Sequence, residues 1–211
     1  MPKQNVLTVQ VNYQYGANVF LPYSVGLLQA YAETLPEVRE NFRFLEPIYL
    51  REIPAEVVRN TKSPAVACFS SYIWNWEYNK ALARLLKLAF PECLIVFGGT
   101  QVPTRSENFF EEHPYVDVLV HQEGEFVFAD ILREFSGSAR PDFTKIGGLS
   151  IRVDGHRAIK TATARRIEDL SKVPSPYLSG VFDFILGRGY LLNATQETNR
   201  GCPYSCTFCD W

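Results

Sequence analysis

The sequence has no apolar run that approaches the roughly 20 residues of a membrane-spanning helix, so we expect no insertion into a membrane. We also expect no signal peptide, because the first residues run straight into a strand-like segment without an apolar stretch or a cleavage site. Basic residues are not in excess, and the net charge of −2 argues against a nucleic-acid partner. Five cysteines without an export signal indicate a reducing, cytoplasmic location.

Two common nucleotide-binding motifs are missing. The chain contains neither G-x-G-x-x-G nor G-x-x-x-x-G-K-[ST], so it shows no dinucleotide fingerprint and no P-loop. Its three histidines, His113, His121 and His156, are scattered and form no catalytic or metal-binding spacing, so we interpret them as structural or solvated. Cys68 and Cys93 fall inside apolar runs and are interpreted as core thiols.

Apolar strand-like runs alternate with amphipathic helix-like runs over residues 1–140. The predicted strands are 6–11, 42–50, 65–69, 94–97 and 116–120. The predicted helices are 21–35, 78–90, 105–112 and 125–135. This alternation is typical of a parallel sheet that is covered by helices on both faces. The sequence therefore predicts an α/β fold with a doubly wound parallel sheet, and 46% hydrophobic residues suffice for one core.

The pattern changes after residue 140. Residues 147–153 and 157–161 are predicted to form a hairpin, because Asp154-Gly155 between them is a typical turn pair. Residues 162–186 are irregular and are interpreted as a linker, whereas 190–195 is predicted to be a last strand without partners in a sheet. The predicted division of the chain has three segments, 1–140, 141–189 and 190–211.

The most specific feature is a C-x3-C-x2-C loop formed by Cys202, Cys206 and Cys209. Three close thiolates favour an iron–sulfur cluster, which normally takes four cysteines, so one iron would stay open to a small molecule. A zinc site would need four closed ligands, and only Asp210 is near enough to be the fourth. A disulfide with a spare thiol is the third alternative, although disulfides are rare in a reducing compartment.

Loops that follow the predicted strands supply a second set of candidates, because ligands of open parallel sheets bind at the carboxyl ends of the strands. The candidate binding residues are Ser70, Ser71, Tyr72, Trp74, Asn75, Gly98, Gly99, Thr100, Glu123, Gly124 and Glu125. Glycines allow a close approach of ligand to backbone, and small hydroxyl residues offer hydrogen bonds. The alternatives are a plain turn at the glycine pair, core packing of Trp74, and an ordinary helix N-terminus at Glu123–Glu125.

The cysteine loop, with Phe208 before its last cysteine and with Thr198-Asn199-Arg200-Gly201 ahead of it, resembles the cluster loop of radical S-adenosylmethionine (radical SAM) enzymes. The resemblance implies that Cys202, Cys206 and Cys209 hold a [4Fe-4S] cluster. It also implies that the open iron binds the amino and carboxylate groups of S-adenosylmethionine, and that residues 190–195 begin a radical SAM barrel.

The loops of the first segment and residues 173–177 resemble the cobalamin-binding domain that precedes the barrel in one subgroup of these enzymes. The resemblance implies that the loops around Ser70–Asn75, Gly98–Thr104 and Glu123–Glu125 surround the corrinoid and its nucleotide tail. Many such domains carry D-x-H-x-x-G after the first strand, but residues 11–18 contain no histidine. Any cobalamin is therefore expected to bind without a histidine ligand from this loop.

The implied activity is reductive cleavage of S-adenosylmethionine followed by radical transfer, commonly methylation, to a small-molecule or peptide substrate with an external electron donor. We expect the 211 residues alone to be inactive, because the segments that would grip S-adenosylmethionine lie beyond them. Two other functions remain open: a non-catalytic corrinoid-binding or accessory module, and a zinc-stabilised interaction protein.

Overall fold

The structure is a computed structural model that describes residues 2–137, 140–154, 157–202, 204, 206 and 207, and only the backbone of Glu107. Short runs rich in Val, Leu, Ile and Phe form the strands, as such residues favour the pleated, buried environment of a sheet. The strands of the main sheet are β1 Gln4–Val9, β3 Phe42–Phe44, β4 Val66–Ser70, β5 Leu94–Gly98, β6 Val118–Val120, β7 Leu149–Asp154 and β8 Arg157–Lys160. A separate pair consists of β2 Asn18–Phe20 and β9 Leu191–Asn193.

Six α-helices are described between these strands. They are α1 Tyr23–Ala32, α2 Pro36–Asn41, α3 Pro54–Asn60, α4 Trp76–Ala89, α5 Glu107–Glu112 and α6 Glu125–Gly137. In α4 the buried side chains Tyr78, Leu82 and Leu86 recur every four residues along one face. Both α2 and α3 begin with proline, whose fixed φ suits the first helical position. Two 3-10 turns, Phe143–Lys145 and Leu170–Lys172, follow later in the chain.

The main sheet has the strand order β3-β1-β4-β5-β6-β7-β8, and its first five strands are parallel. Helices α3, α4 and α5 pack on one face, and α1, α2 and α6 on the other. The predicted α/β class with a doubly wound parallel sheet is therefore confirmed. Cys68 and Cys93 are buried in the two cores, as predicted, and burial raises the pKa of each thiol to about 12.

One predicted strand is shorter in the structure, and the predicted hairpin joins the main sheet. The strand predicted at 42–50 ends at Phe44, because Pro47 cannot donate to β1; Ile48 donates to the Thr8 carbonyl at 2.9 Å, and only an isolated bridge to Val9 follows. The predicted hairpin forms, with β7 antiparallel to both β6 and β8, so it extends the main sheet. Gly155 of its turn and His156 lie outside the described residues. The boundaries at residues 140 and 189 stay predictions.

The interpretation of 162–186 as a linker needs one addition, because its second half has a small core of its own. Val181, Phe182 and Ile185 pack against Val19 and Tyr49 and are almost fully buried. The last strand also has a partner, contrary to expectation: β9 lies parallel to β2. In the described part of the chain, no helix combines the length and the apolarity needed to cross a bilayer.

Candidate functional site

The carboxyl ends of β4 and β5 approach each other closely. The Ser71 amide donates to the Gly98 carbonyl at 2.7 Å, and the Gln101 amide donates to the Ser71 carbonyl at 3.1 Å. Gly99 has φ +99°, and a Cβ there would lie 2.5 Å from the Ser71 carbonyl oxygen. The glycine pair is therefore a turn that only glycine at position 99 can make.

A buried amide network holds the loop after β4. The Asn75 side-chain amide donates to the Val11 and Ser70 carbonyls at 3.0 Å, and its oxygen accepts from the Tyr72 amide at 2.8 Å. Asn79 donates to the Ser71 hydroxyl at 3.1 Å. Ser70, Ser71 and Asn75 are buried and engaged in this way, whereas Ile73 and Trp74 are exposed and Tyr72 is half-buried.

Trp74 lies on the surface, with 43% of its area exposed, and not in the core. Its ring stacks on Tyr72 at a centroid distance of 4.6 Å and an interplanar angle of 3°. The Tyr72 hydroxyl is 2.9 Å from the Ser24 hydroxyl, which fixes the stack against α1. Tyr13 and Tyr15, on the loop after the neighbouring strand β1, are also exposed. We call the four rings Tyr13, Tyr15, Tyr72 and Trp74 the aromatic surface.

A cavity of about 670 Å³ opens beside the aromatic surface, beyond the ends of β5 and β6. Its walls are formed by Gly99, Thr100, Val102, Thr104, His121, Gln122, Gly148, Lys160, Thr161, Ala162, Thr163 and Ala164. Volumes of 300–1,000 Å³ are usual for small-molecule sites. Gln122 has φ +65°, a strained conformation that tends to occur at functional sites.

Two of the predicted residues, Gly99 and Thr100, thus line one cavity, and the sequence analysis missed the walls that come from the hairpin and from residues 161–164. His121 also lines the cavity, and its Nε2 atom is 2.8 Å from the Ser150 hydroxyl. Burial lowers the pKa of His121, and the nearby Lys160 lowers it further, which favours the neutral form of the ring. The cavity is open, is lined in part by glycine, and lies next to exposed aromatic rings. It therefore fits a ligand that has both polar and flat apolar parts.

Glu123 and Glu125, at the start of α6, bind the segment that leads into the cysteine loop. Arg200 donates to both oxygens of Glu125, through Nη2 to Oε1 at 2.5 Å and through Nη1 to Oε2 at 3.1 Å. Glu123 accepts from the Ile167 amide at 2.7 Å, and its other oxygen is 3.7 Å from Arg200 Nη1. Burial alone would lower the pKa of Arg200, but the hydrogen bonds to Glu125 and Glu197 outweigh it and raise the pKa.

A helix N-terminus is thus present at Glu123–Glu125, and the carboxylates of Glu123 and Glu125 contact Arg200. Gly124 lies between them, and a Cβ at this position would come within 3.2 Å of the Leu28 side chain. Contact of Glu123, Gly124 and Glu125 with a cofactor stays a prediction. Cofactor contact also stays a prediction for the candidate residues of the other loops.

The cysteine loop follows immediately. Cys202 and Cys206 are exposed and carry free thiols, which suits metal loading because a ligating thiol must be accessible and lose its proton. Cys209, Phe208 and Asp210 lie outside the described residues, and among those that are described no three His, Cys, Asp or Glu side chains form a metal-binding group. The donor chemistry of the loop fits an iron–sulfur cluster, and the third ligand stays a prediction.

Comparison with known proteins gives relatives over nearly the whole chain, although no family model matches. The chain is 43% identical over 196 residues to the cobalamin-dependent radical SAM methyltransferase TokK of Streptomyces tokunonensis, a match that covers 91% of this chain and 28% of that protein. It is also 43% identical over 205 residues to the 2-(S-pantetheinyl)-carbapenam-3-carboxylate methyltransferase of Streptantibioticus cattleyicolor, covering 94% and 30%.

A solved structure agrees in fold. The cobalamin-dependent S-adenosylmethionine radical enzyme OxsB superposes with a TM-score of 0.73 at 20% identity, over 98% of this chain and 28% of that one. The chain therefore spans less than a third of the length of each of these three proteins. By its sequence similarity to TokK and its fold, this chain is a homologue of one part of the cobalamin-dependent radical SAM methyltransferases.

Proposed function

We propose that this chain binds cobalamin and a [4Fe-4S] cluster as part of a radical SAM methyltransferase. The observation that carries the proposal is the position of the cysteine loop: Arg200 ties its start to Glu125, at the sheet edge that also bears the aromatic surface and the cavity. Two cofactors that must act on one substrate need adjacent sites, and this arrangement offers them.

Each group of residues has a distinct task in the proposal. Cys202, Cys206 and Cys209 hold the cluster as thiolates and leave one iron for S-adenosylmethionine. Trp74, which is stacked on Tyr72 through one face, packs its other face against the corrinoid, while Gly99 and Thr100 receive its polar tail in the cavity. When bound, the cofactors supply an electron to S-adenosylmethionine and a methyl group to the substrate.

The partners belong to the proposal as well. An external electron donor must reduce the cluster, and the substrate is a small molecule or a peptide. We propose no nucleic-acid partner, because the chain carries no basic excess at its net charge of −2. The activity belongs to a longer protein, since the relatives that carry it are more than three times as long as the part matched here.

The cluster assignment predicts the outcome of anaerobic reconstitution with iron and sulfide. The unaltered chain is expected to bind roughly four iron and four sulfide ions, and Cys202→Ala, Cys206→Ala or Cys209→Ala is expected to abolish this binding. Cys68→Ala and Cys93→Ala are matched controls, because both thiols are buried in the core. Iron and sulfide analysis is the measurement, and stoichiometric zinc without sulfide would refute the cluster.

The cobalamin assignment predicts that the chain binds cobalamin saturably. The change in cobalamin absorbance during titration measures this binding. The bound form is expected to have a spectrum without a histidine ligand, because no histidine follows β1. His113→Gln and His121→Gln should leave its absorbance maxima unchanged, while Trp74→Ala should weaken binding. If no binding is seen up to about 1 mM, equivalent to a free energy weaker than about −4 kcal/mol, the domain does not bind cobalamin as proposed.

A further inference from the structure

We propose that Arg200 is a positioning residue, which fixes the start of the cysteine loop at the carboxyl edge of the sheet through Glu125 and Glu123. The inference rests on the proposed function in one respect only, namely that the loop holds a cluster. Arg200 itself touches neither a described cysteine thiol nor, in the proposal, the substrate. Its effect on the cluster would pass through the backbone of the loop.

The first argument is the geometry of the ion pair. Arg200 is 14% exposed and Glu125 is 6% exposed, whereas most arginine–carboxylate pairs described in this chain lie at the surface. The guanidinium presents two parallel N–H groups to Glu125 and uses its Nε–H for Glu197 at 2.8 Å. Because the planar guanidinium is hydrogen-bonded along two of its edges, both the position and the orientation of the Arg200 side chain are fixed.

The second argument is the local balance of charge. Three carboxylates, those of Glu123, Glu125 and Glu197, surround the one guanidinium of Arg200. Glu123 is held in addition by the Ile167 amide, so it cannot simply turn away towards solvent. Without Arg200, the partly buried carboxylates would lose the positive charge that balances them and would repel one another. A buried charge left unpaired is strongly unfavourable. The cluster of acidic residues is therefore built around an arginine at this position.

The third argument is the short distance along the chain. Two residues of extended chain span at most about 7 Å, so docking of Arg200 confines the Cα of Cys202 to a small volume beside α6. The preceding anchor is the hydrogen bond from the Tyr177 hydroxyl to the Thr195 carbonyl, about five residues earlier. Gly201, with φ +81°, turns the chain directly after Arg200. Loss of the Arg200 contact would leave the segment after Thr195 without its ion pairs to Glu123 and Glu125.

The test compares Arg200→Gln, Arg200→Lys and Glu125→Gln with the control Arg133→Gln. Arg133 is a suitable control because it lies on the same helix as Glu125 and also contacts two carboxylates, Glu37 and Asp130, far from the cysteine loop along the chain. Lysine keeps the charge but cannot form the bidentate contact, so it separates charge from orientation.

The first measurement is amide hydrogen exchange of the 201–207 segment in the cluster-free chain. Arg200→Gln and Glu125→Gln are expected to raise the exchange rate about tenfold, Arg200→Lys less, and Arg133→Gln not at all. The second measurement, after anaerobic reconstitution, is the iron content together with the electron paramagnetic resonance spectrum of the reduced cluster. Arg200→Gln should lower the iron content and broaden the spectrum, and Arg200→Lys should restore both in part.

The outcomes separate this inference from the function on which it rests. If the unaltered chain takes up no iron and sulfide, the cluster assignment fails, but hydrogen exchange still decides whether Arg200 positions the loop. If Arg200→Gln and Glu125→Gln leave both exchange and the cluster signal unchanged, Arg200 is not a positioning residue. Should Arg200→Gln fail to fold, Glu125→Gln decides alone, because glutamine keeps the volume and one acceptor of the glutamate.

Discussion

Gly99→Ala is expected to lower the free energy of unfolding by about 2–6 kcal/mol, because backbone strain and overpacking each cost about 1–3 kcal/mol. The strain arises from φ +99°, and the overpacking from a Cβ that would lie 2.5 Å from the Ser71 carbonyl oxygen and 2.8 Å from its nitrogen. These neighbours are backbone atoms directly after the central strand β4 and are hydrogen-bonded to Gly98 and Gln101, so they cannot move aside without disturbing the sheet. Urea denaturation followed by circular dichroism measures the loss.

The adjacent glycine provides a matched control. A Cβ at Gly98 would meet only Val120, its Cβ at 3.7 Å and its carbonyl oxygen at 3.9 Å, which are ordinary contacts, and the φ of Gly98 is not positive. Gly98→Ala should therefore change stability by less than about 1 kcal/mol. Equal effects of the two substitutions would show that the turn does not require glycine at position 99. Because Gly99 lines the cavity, Gly99→Ala is also expected to weaken cobalamin binding.

Asp117→Ala is expected to destabilise the fold by about 3–5 kcal/mol, the usual cost of removing one partner from a largely buried ion pair. Asp117 is the meeting point of three elements: it accepts from Lys87 Nζ at 2.8 Å, from Arg152 Nη2 at 2.5 Å and from the Ile95 amide at 2.8 Å. Its loss would leave two cations and one buried amide without this acceptor. Urea denaturation again gives the change in free energy.

Asp117→Asn separates the charge from the hydrogen bond. Asparagine can still accept from the Ile95 amide, so it should cost less than alanine; an asparagine variant as unstable as the alanine one would mean that charge alone matters. Asp117 directly precedes β6 and so lies at the amino edge of the sheet, opposite the cavity. The folded Asp117→Asn protein should therefore bind cobalamin as tightly as the unaltered chain.

The central part of the fold could be predicted from sequence because it rests on periodic patterns. The strands at 66–70 and 94–98 are continuous apolar runs, and α4 repeats its buried residues every four positions. Such patterns reflect burial on both faces of a sheet or on one face of a helix, which local sequence determines. The positions of the candidate binding loops at the carboxyl ends of the strands then follow from the topology of the parallel sheet alone.

The missed elements have no such local signal. β2 is three residues long, and it exists because it pairs with β9 and buries Val19 against the linker. Arg200 stands beside the cysteines and could pass for a solvated charge, since nothing in the sequence links it to Glu125, 75 residues earlier. The sequence analysis identified both ends of this ion pair as parts of motifs but not their contact, which depends on tertiary structure.

The pairing of β2 with β9 also has a consequence for the order of folding. The two strands lie about 170 residues apart, so β2 has no partner until Leu191–Asn193 has been synthesised. At about 5–20 residues per second that delay is on the order of ten seconds or more, far longer than a helix or hairpin needs to form.

The main sheet can close first, since each of its parallel neighbours is complete by residue 120 and the hairpin by residue 160. The linker and β9 then add to a folded surface, which reduces the entropy lost in closing so long a loop. The cysteine loop is consequently brought to its place after the main sheet, when the walls of the site beside it already exist.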